Sequence, residues 1–303
     1  MSFLDVKEGF KSGFVAFVGR PNAGKSTLLN ALVGEKVAIT SNTVQTTRHR
    51  FHGMLTTQDY QIVITDTPGI HKPKDALGEE LNISAEEAVA DVDVICFLID
   101  SKAPVGSGDK HIVSMIENIN VPKICLITKT DLATKEEINE QIITCSKLTD
   151  FREILPLSAK SGENIELLKE TIVDLLQTGH LWYPQDEICD VDDEVMVAEL
   201  IREKILRLST HEVPHSIGVV VEEIEYRKKR KIFDISATIY VERDSQKGIV
   251  VGKSGSMLKK IGSQARVDIE RYFNSQVNLQ LNVKVKKNWR RDANQIKRFG
   301  YGQ

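Results

Sequence analysis

The octapeptide GRPNAGKS, residues 19–26, follows the apolar run FVAFV and opens the helical pattern KSTLLNALVG. A turn of the form G-x-x-x-x-G-K-[ST] in that setting commits the chain to a strand, a tight loop and a helix whose amino terminus faces anionic oxygens. Gly19 and Gly24 let the backbone wrap phosphates without a clashing Cβ, and Asn22, Ala23 and Thr27 line the same turn. Lys25 is placed to reach β- and γ-phosphates, and Ser26 offers a hydroxyl to Mg²⁺.

The alternation that follows sets the fold class. From residue 14 to about 177, short β-rich runs take turns with helical patterns: FVAFV, YQIVIT, VICFLI, KICLIT and ILPL, each trailed by an amphipathic stretch. That order predicts an α/β domain with a mostly parallel sheet and helices on both faces. RFHGMLTTQ, just ahead of YQIVIT, predicts an antiparallel edge strand.

Phosphate binding does not name the base, so the loops at the ends of the other strands decide between ATP and GTP. After YQIVIT comes DTPG, in which Asp66 is expected to hold Mg²⁺ through water and Gly69 to turn its N–H to the γ-phosphate. After KICLIT comes TKTD, comprising Thr128, Lys129 and Asp131; the carboxylate of Asp131 can accept from both donors on the guanine edge. Adenine has no such pair. After ILPL comes SAK, with Ser158, Ala159 and Lys160, where the Ala159 N–H can meet guanine O6. Taken in order, each at its own strand end, the motifs predict a site for GTP/GDP.

For hydrolysis, QTTR lies where a first switch segment belongs. Thr47 is the expected Mg²⁺ and γ-phosphate ligand, with Thr46 second; the alternative is that both simply begin the strand RFHGML. After DTPG stands Ile70, where Ras-like proteins carry a water-orienting Gln, so slow intrinsic turnover is expected. Lys25, Thr47, Gly69 and Asn22 are the residues expected to carry the chemistry.

The second half differs in charge. Residues 1–179 carry a net −7 and residues 226–303 a net +13. Such concentration suits a polyanion, either nucleic acid or anionic lipid. Domain boundaries are expected at 1–178 for the nucleotide domain, 179–191 for an aperiodic linker with Gly179 and Pro184, and 192–303 for a second domain with a basic C-terminal tail. In IFDISATIYV, Phe233, Ile235, Ala237, Ile239 and Val241 alternate, so one face is buried. GKSG, formed by Gly252, Lys253, Ser254 and Gly255, sits after two strands and before a helix and a last strand. That order matches an α-β-β-α-α-β KH fold, an α+β domain whose glycine loop approaches the backbone of about four unpaired nucleotides.

GRPNAGKSTLLN, QTTRHR, DTPGIHKP and LSAKSG, followed by the KH-like half, resemble the translation-factor-like branch of P-loop GTPases and, within it, the Era-type GTPases, over essentially the whole chain. The resemblance implies a type II KH domain, binding to the 3′ end of small-subunit ribosomal RNA and a role in assembly of the small ribosomal subunit. It also implies some peripheral association with the membrane. In potassium-activated relatives the position of Asn22 ligates K⁺ beside the β/γ-bridge; the other reading is that Asn22 merely suits a tight turn. One residue departs from the family pattern: Thr128 stands where Asn is usual, and a hydroxyl cannot supply both amide functions, which bears on affinity rather than base identity.

Unpaired cysteines, the lack of a signal-like start and the lack of an 18-residue apolar run lead us to expect a cytoplasmic protein, at most peripheral to a membrane. Two rivals follow from the same residues. One is a nucleotide-dependent membrane-surface protein whose basic segment binds anionic lipid; the other is an ATP-dependent kinase, since phosphate loops also serve kinases.

Overall fold

The computed structural model describes residues 6–41, 47–209 and 213–301. The first sheet contains β1 (Lys11–Gly19), β2 (Phe51–Thr56), β3 (Tyr60–Asp66), β4 (Val94–Asp100), β5 (Lys123–Thr128), β6 (Glu153–Pro156) and the short β7 (Gln177–Thr178). Its order is β2-β3-β1-β4-β5-β6, with β7 on the start of β1. All pairs are parallel except β2 with β3 and β7 with β1. The antiparallel edge at β2 is the expected one.

Between the strands lie α1 (Lys25–Val33), α2 (Ala76–Glu87), α3 (Ser107–Ile116), α4 (Lys135–Cys145) and α5 (Ile165–Leu175). Both faces of the sheet are dry, because alternate residues of β1 feed two cores. Val15 and Phe17 pack with α1 and α5, and Ala16 and Val18 pack with α2 and α3. α2 begins at Ala76 because the Asp75 carboxylate accepts from the Gly78 N–H at 2.9 Å and caps it.

The second sheet is three-stranded, β8 (Gly218–Arg227), β9 (Ile232–Val241) and β10 (Gln276–Val285), ordered β10-β9-β8. β9 runs antiparallel to β8 and parallel to β10. α6 (Asp193–Leu208), α7 (Asp244–Val251) and α8 (Ser256–Tyr272) cover one face, and α9 (Ala293–Arg298) closes the chain. α8 docks through Ile261, Ala265 and Ile269, one residue per turn on one stripe. Ile235, Ala237, Ile239 and Val241 of β9 are buried against it, as their alternation predicted.

Two segments behave differently from their sequence reading. Residues 179–191 are strapped to β2 and β3: Met54 N–H of β2 donates to the Ile188 carbonyl at 2.9 Å, and buried Gln61 of β3 holds the main chain of Trp182 and Tyr183. The closing basic stretch is folded rather than free, with Trp289 fully buried and Phe299 and Tyr301 packed on Leu77 and Leu81 of α2.

Candidate active site

The carboxyl ends of β1, β3, β5 and β6 open onto one rim, which is where an α/β sheet places ligands. Gly19 ends β1 so close to β4 that a Cβ there would meet the Leu98 carbonyl at 2.6 Å. The turn then needs left-handed backbone at Asn22 (φ 65) and Gly24 (φ 97), and Gly24 caps α1. Ala23 is buried beneath the loop, and Thr27 lies in the first turn of α1 and faces the cleft.

Lys25 is buried, and its Nζ donates to the carbonyls of Gly19 and Arg20 at 3.1 and 3.2 Å. Burial pulls its ammonium down to about 8, against the opposing charge of Asp66. Asp66, at the end of β3, is pushed the other way by burial, with Lys25 next in importance and opposing the shift.

Three oxygens converge beside this lysine. Ser26 Oγ and Thr47 Oγ1 lie 2.9 Å apart and donate to Asp66 Oδ2 at 2.8 and 3.1 Å. The second carboxylate oxygen of Asp66 is buried with no hydrogen-bond partner. An all-oxygen donor set with a spare buried lone pair fits a hard divalent cation such as Mg²⁺. Thr46, the second-choice residue, lies outside the described residues.

Gly69 completes the phosphate end. A Cβ there would sit 2.7 Å from the Pro21 backbone, so only glycine lets the two loops touch. Ile70 donates its N–H to the Gly19 carbonyl at 3.3 Å and turns its side chain into the core under α2. No polar group at that position can orient a water.

The base end is a second cleft that shares Gly24, Thr27 and Lys129 with the first; the two have volumes of ≈ 550 Å³ and ≈ 560 Å³. Thr128 Oγ1 lies 2.7 Å from the Ala23 carbonyl and 3.1 Å from that of Ile99. Lys129 takes a left-handed conformation (φ 61), held by Ser101 Oγ on its carbonyl and by Asp100 on its Nζ at 2.7 Å. Asp131 accepts from buried Ser158 Oγ at 2.7 Å, so the two motif loops are joined through the residues expected to read guanine. Ala159 and Lys160 line the same cleft. Asp100 and Ser101 were missed by sequence reasoning, although they stand at the end of a predicted strand, the one available signal.

In the second domain, Gly252 to Gly255 link α7 to α8. Gly252 (φ 72) is sterically obligatory, since a Cβ would meet the Met257 backbone N at 2.8 Å; Gly255 (φ 78) faces open space. Lys253 and Ser254 are exposed. The loop opens onto a groove of ≈ 800 Å³ with Leu258, Leu279 and Leu281 along it and Lys259 and Arg266 on the α8 side. The apolar and basic lining suits stacked bases beside a phosphate backbone.

Comparison with known proteins bears on both sites. A family model described as 50S ribosome-binding GTPase matches residues 14–129, and one described as KH domain matches residues 212–290. The chain is 46% identical over 292 residues to the GTPase Era of Caldanaerobacter subterraneus subsp. tengcongensis, covering 96% of this chain and 98% of that protein. It is 47% identical over 293 residues to the GTPase Era of Clostridioides difficile strain 630, covering 96% and 99%. Among solved structures, a point variant of Aquifex aeolicus Era bound to GDP·AlF4⁻ superposes with a TM-score of 0.93 at 38% identity, over 96% of this chain and 99% of that one. Era in complex with MgGDPNP and nucleotides 1506–1542 of 16S ribosomal RNA gives 0.92 at 38%, with the same coverage.

Proposed function

The chain belongs to the Era family of GTPases, and from that premise we propose that it is a GTP-driven switch whose second domain holds single-stranded small-subunit ribosomal RNA near its 3′ end while the small ribosomal subunit is assembled. It is an enzyme that hydrolyses GTP to GDP and phosphate. The observation that carries the rest is the pairing, in one chain, of a guanine-type cleft with a GKSG loop opening onto a leucine-lined groove. The solved relative that carries 16S ribosomal RNA supports the same partner. The large-subunit description attaches only to residues 14–129, which exclude the groove.

In this reading residues 1–178 bind nucleotide, 179–191 strap the two parts together and 192–303 bind RNA. Gly19, Asn22, Ala23, Gly24, Lys25, Ser26 and Thr27 cradle the phosphates; Thr128, Lys129, Asp131, Ser158, Ala159 and Lys160 surround the base. Ser26, Thr47 and Asp66 would hold Mg²⁺, whose chemistry is to draw charge off the β- and γ-phosphate oxygens. Lys25 would place a positive charge at the same oxygens, and the Gly69 N–H would donate to the γ-phosphate. With Ile70 turned into the core, no side chain at that position activates the water, which supports slow basal turnover. Asn22 either ligates a stimulating K⁺ or serves only the turn, and its φ of 65 is accounted for by the turn.

The lipid-binding alternative draws no support from the closing segment. There the tryptophan is buried and Arg290 is paired with Asp75 and Glu242, so that stretch is not a free basic tail. A cytoplasmic location goes with the ribosomal partner. The test is a titration of the full chain with a 3′-terminal 16S oligonucleotide, a scrambled oligonucleotide and anionic vesicles, each with GTP analogue present. Tight binding of the first alone is expected; preference for vesicles would overturn the reading.

A further inference from the structure

Arg48 directly follows Thr47, and its side chain leaves in the opposite direction. Thr47 turns in toward Ser26 and Asp66, whereas Arg48 is 1% exposed and lies inside the contact with the second domain. Its guanidinium donates to the Ile217 carbonyl just before β8 and stands over the rings of Trp289 and Tyr301, 5.8 and 5.4 Å from their centroids.

Those rings belong to the closing segment, which is itself fastened to α2. Arg290 joins Asp75, the cap of α2, to Glu242 at 2.9 Å on each side. The chain ahead of the switch is held too. Ile39 is buried in the core of the second domain, and the Thr40 N–H donates to Glu203 Oε1 of α6 at 3.0 Å.

A guanidinium at this depth keeps its aromatic and carbonyl partners or goes unsolvated, so its docking is close to all-or-none. Adjacent Cα atoms are about 3.8 Å apart, so a displacement of Arg48 is carried to Thr47 through the main chain. We propose that Arg48 is a positioning residue for GTP hydrolysis: seated under the closing segment, it holds Thr47 in the metal corner, and GTP in turn favours seating of residues 289–301. This rests on the reading of Thr47 as the switch threonine. Coupling is reciprocal, so whatever the γ-phosphate does for Thr47 it does for the closing segment. GDP, without that phosphate, leaves the coupling unused.

The experiment compares the full-length parent with Arg48→Ala, Arg48→Lys, Tyr301→Leu and Thr47→Ala. Single-turnover GTP hydrolysis, GDP affinity, and amide exchange of residues 293–301 with GDP or a non-hydrolysable GTP analogue are measured on each. Arg48→Ala and Tyr301→Leu are expected to lose on the order of tenfold or more in hydrolysis while GDP affinity stays within about twofold. Arg48→Lys should recover part of the rate. Exchange should be slower with the analogue than with GDP in the parent, and equal in Arg48→Ala. Parental hydrolysis in Arg48→Ala and Tyr301→Leu, or loss of GDP affinity in step with rate, would make Arg48 a structural residue only. Parental hydrolysis in Thr47→Ala would instead remove the reading of Thr47. Should Arg48→Ala fold poorly, Tyr301→Leu and Arg48→Lys decide.

Discussion

The hydroxyl of Thr128, at the end of β5, lies 2.7 Å from the main-chain carbonyl of Ala23 in the phosphate loop. Threonine therefore keeps the half of the usual asparagine's work that braces the loop. One hydroxyl proton cannot also serve the base. Thr128→Val keeps the shape and removes the donor, leaving a buried carbonyl short of a partner at a cost of about 1 kcal/mol, or roughly fivefold in nucleotide affinity. Thr128→Asn should tighten binding or leave it level. Equilibrium titration with a fluorescent GDP analogue measures both, and a clear loss in Thr128→Asn would show a loop built around threonine.

Asp131 is held by Ser158 at 2.7 Å with its carboxylate at the base cleft. Exchanging the carboxylate for an amide swaps two acceptors for an acceptor and a donor. Asp131→Asn should weaken GTP and improve xanthosine triphosphate, whose extra carbonyl accepts from the amide. Competition between the two nucleotides reads the change directly, and an unaltered ratio would take Asp131 out of the site.

Lys25 carries a pH prediction. With the cleft empty, burial holds its pKa at about 8 rather than the ordinary 10.5, and a bound phosphate raises it again. Nucleotide affinity should be level below about pH 8 and fall as pH rises above it, with about half a proton taken up on binding at pH 8. Stability of the empty protein moves the other way. The folded-state pKa lies below the unfolded one, so the penalty for the charged amine is full below 8 and fades as pH rises toward 10.5. Calorimetry of GDP binding in two buffers of different ionisation enthalpy gives the proton count, and zero uptake would contradict the shift.

If Asn22 ligates K⁺, hydrolysis should be faster in KCl than in matched NaCl, and Asn22→Ala should abolish the difference. The left-handed backbone at Asn22 (φ 65) is sufficient reason for an asparagine there. Equal rates in both salts would leave the turn as its whole role.

For the RNA loop, Gly255 is the position to alter. Gly252→Asp would drive a Cβ to 2.7 Å from that of Met257 and damage the turn, whereas Gly255 has open space around it and asks only for left-handed backbone, which Asp tolerates better than most. Gly255→Asp should weaken single-stranded RNA binding while GTP affinity is unchanged. Lys253→Gln should make the slope of log affinity against log salt shallower by about 0.7, the value of one phosphate contact on a single strand. Undiminished RNA binding by folded Gly255→Asp would refute the loop's assignment.

The sequence alone settled whatever depends on a residue and its near neighbours. Gly24 is demanded by left-handed backbone in its own turn, whereas the close approaches that require Gly19 and Gly69 come from Leu98 and Pro21; the strand-end motifs follow from a parallel sheet that gathers carboxyl ends on one rim, and the alternation in β9 names its buried face. Only the tertiary structure decided what lies between the domains. Glu199, Arg202, Glu203 and Lys204 are charged residues of a helix, yet all four are buried because α6 is covered by α8 and β8 and by the chain at Ile39 and Thr40. The closing stretch reads as a basic tail because charge is what a short window shows; Trp289, Phe299 and Tyr301 bury against α2 more than two hundred residues upstream. Arg48 shows the same limit. Its carbonyl and aromatic partners stand 169 to 253 positions away in the chain, and no local pattern records a contact whose partner is fixed by the folding of another domain.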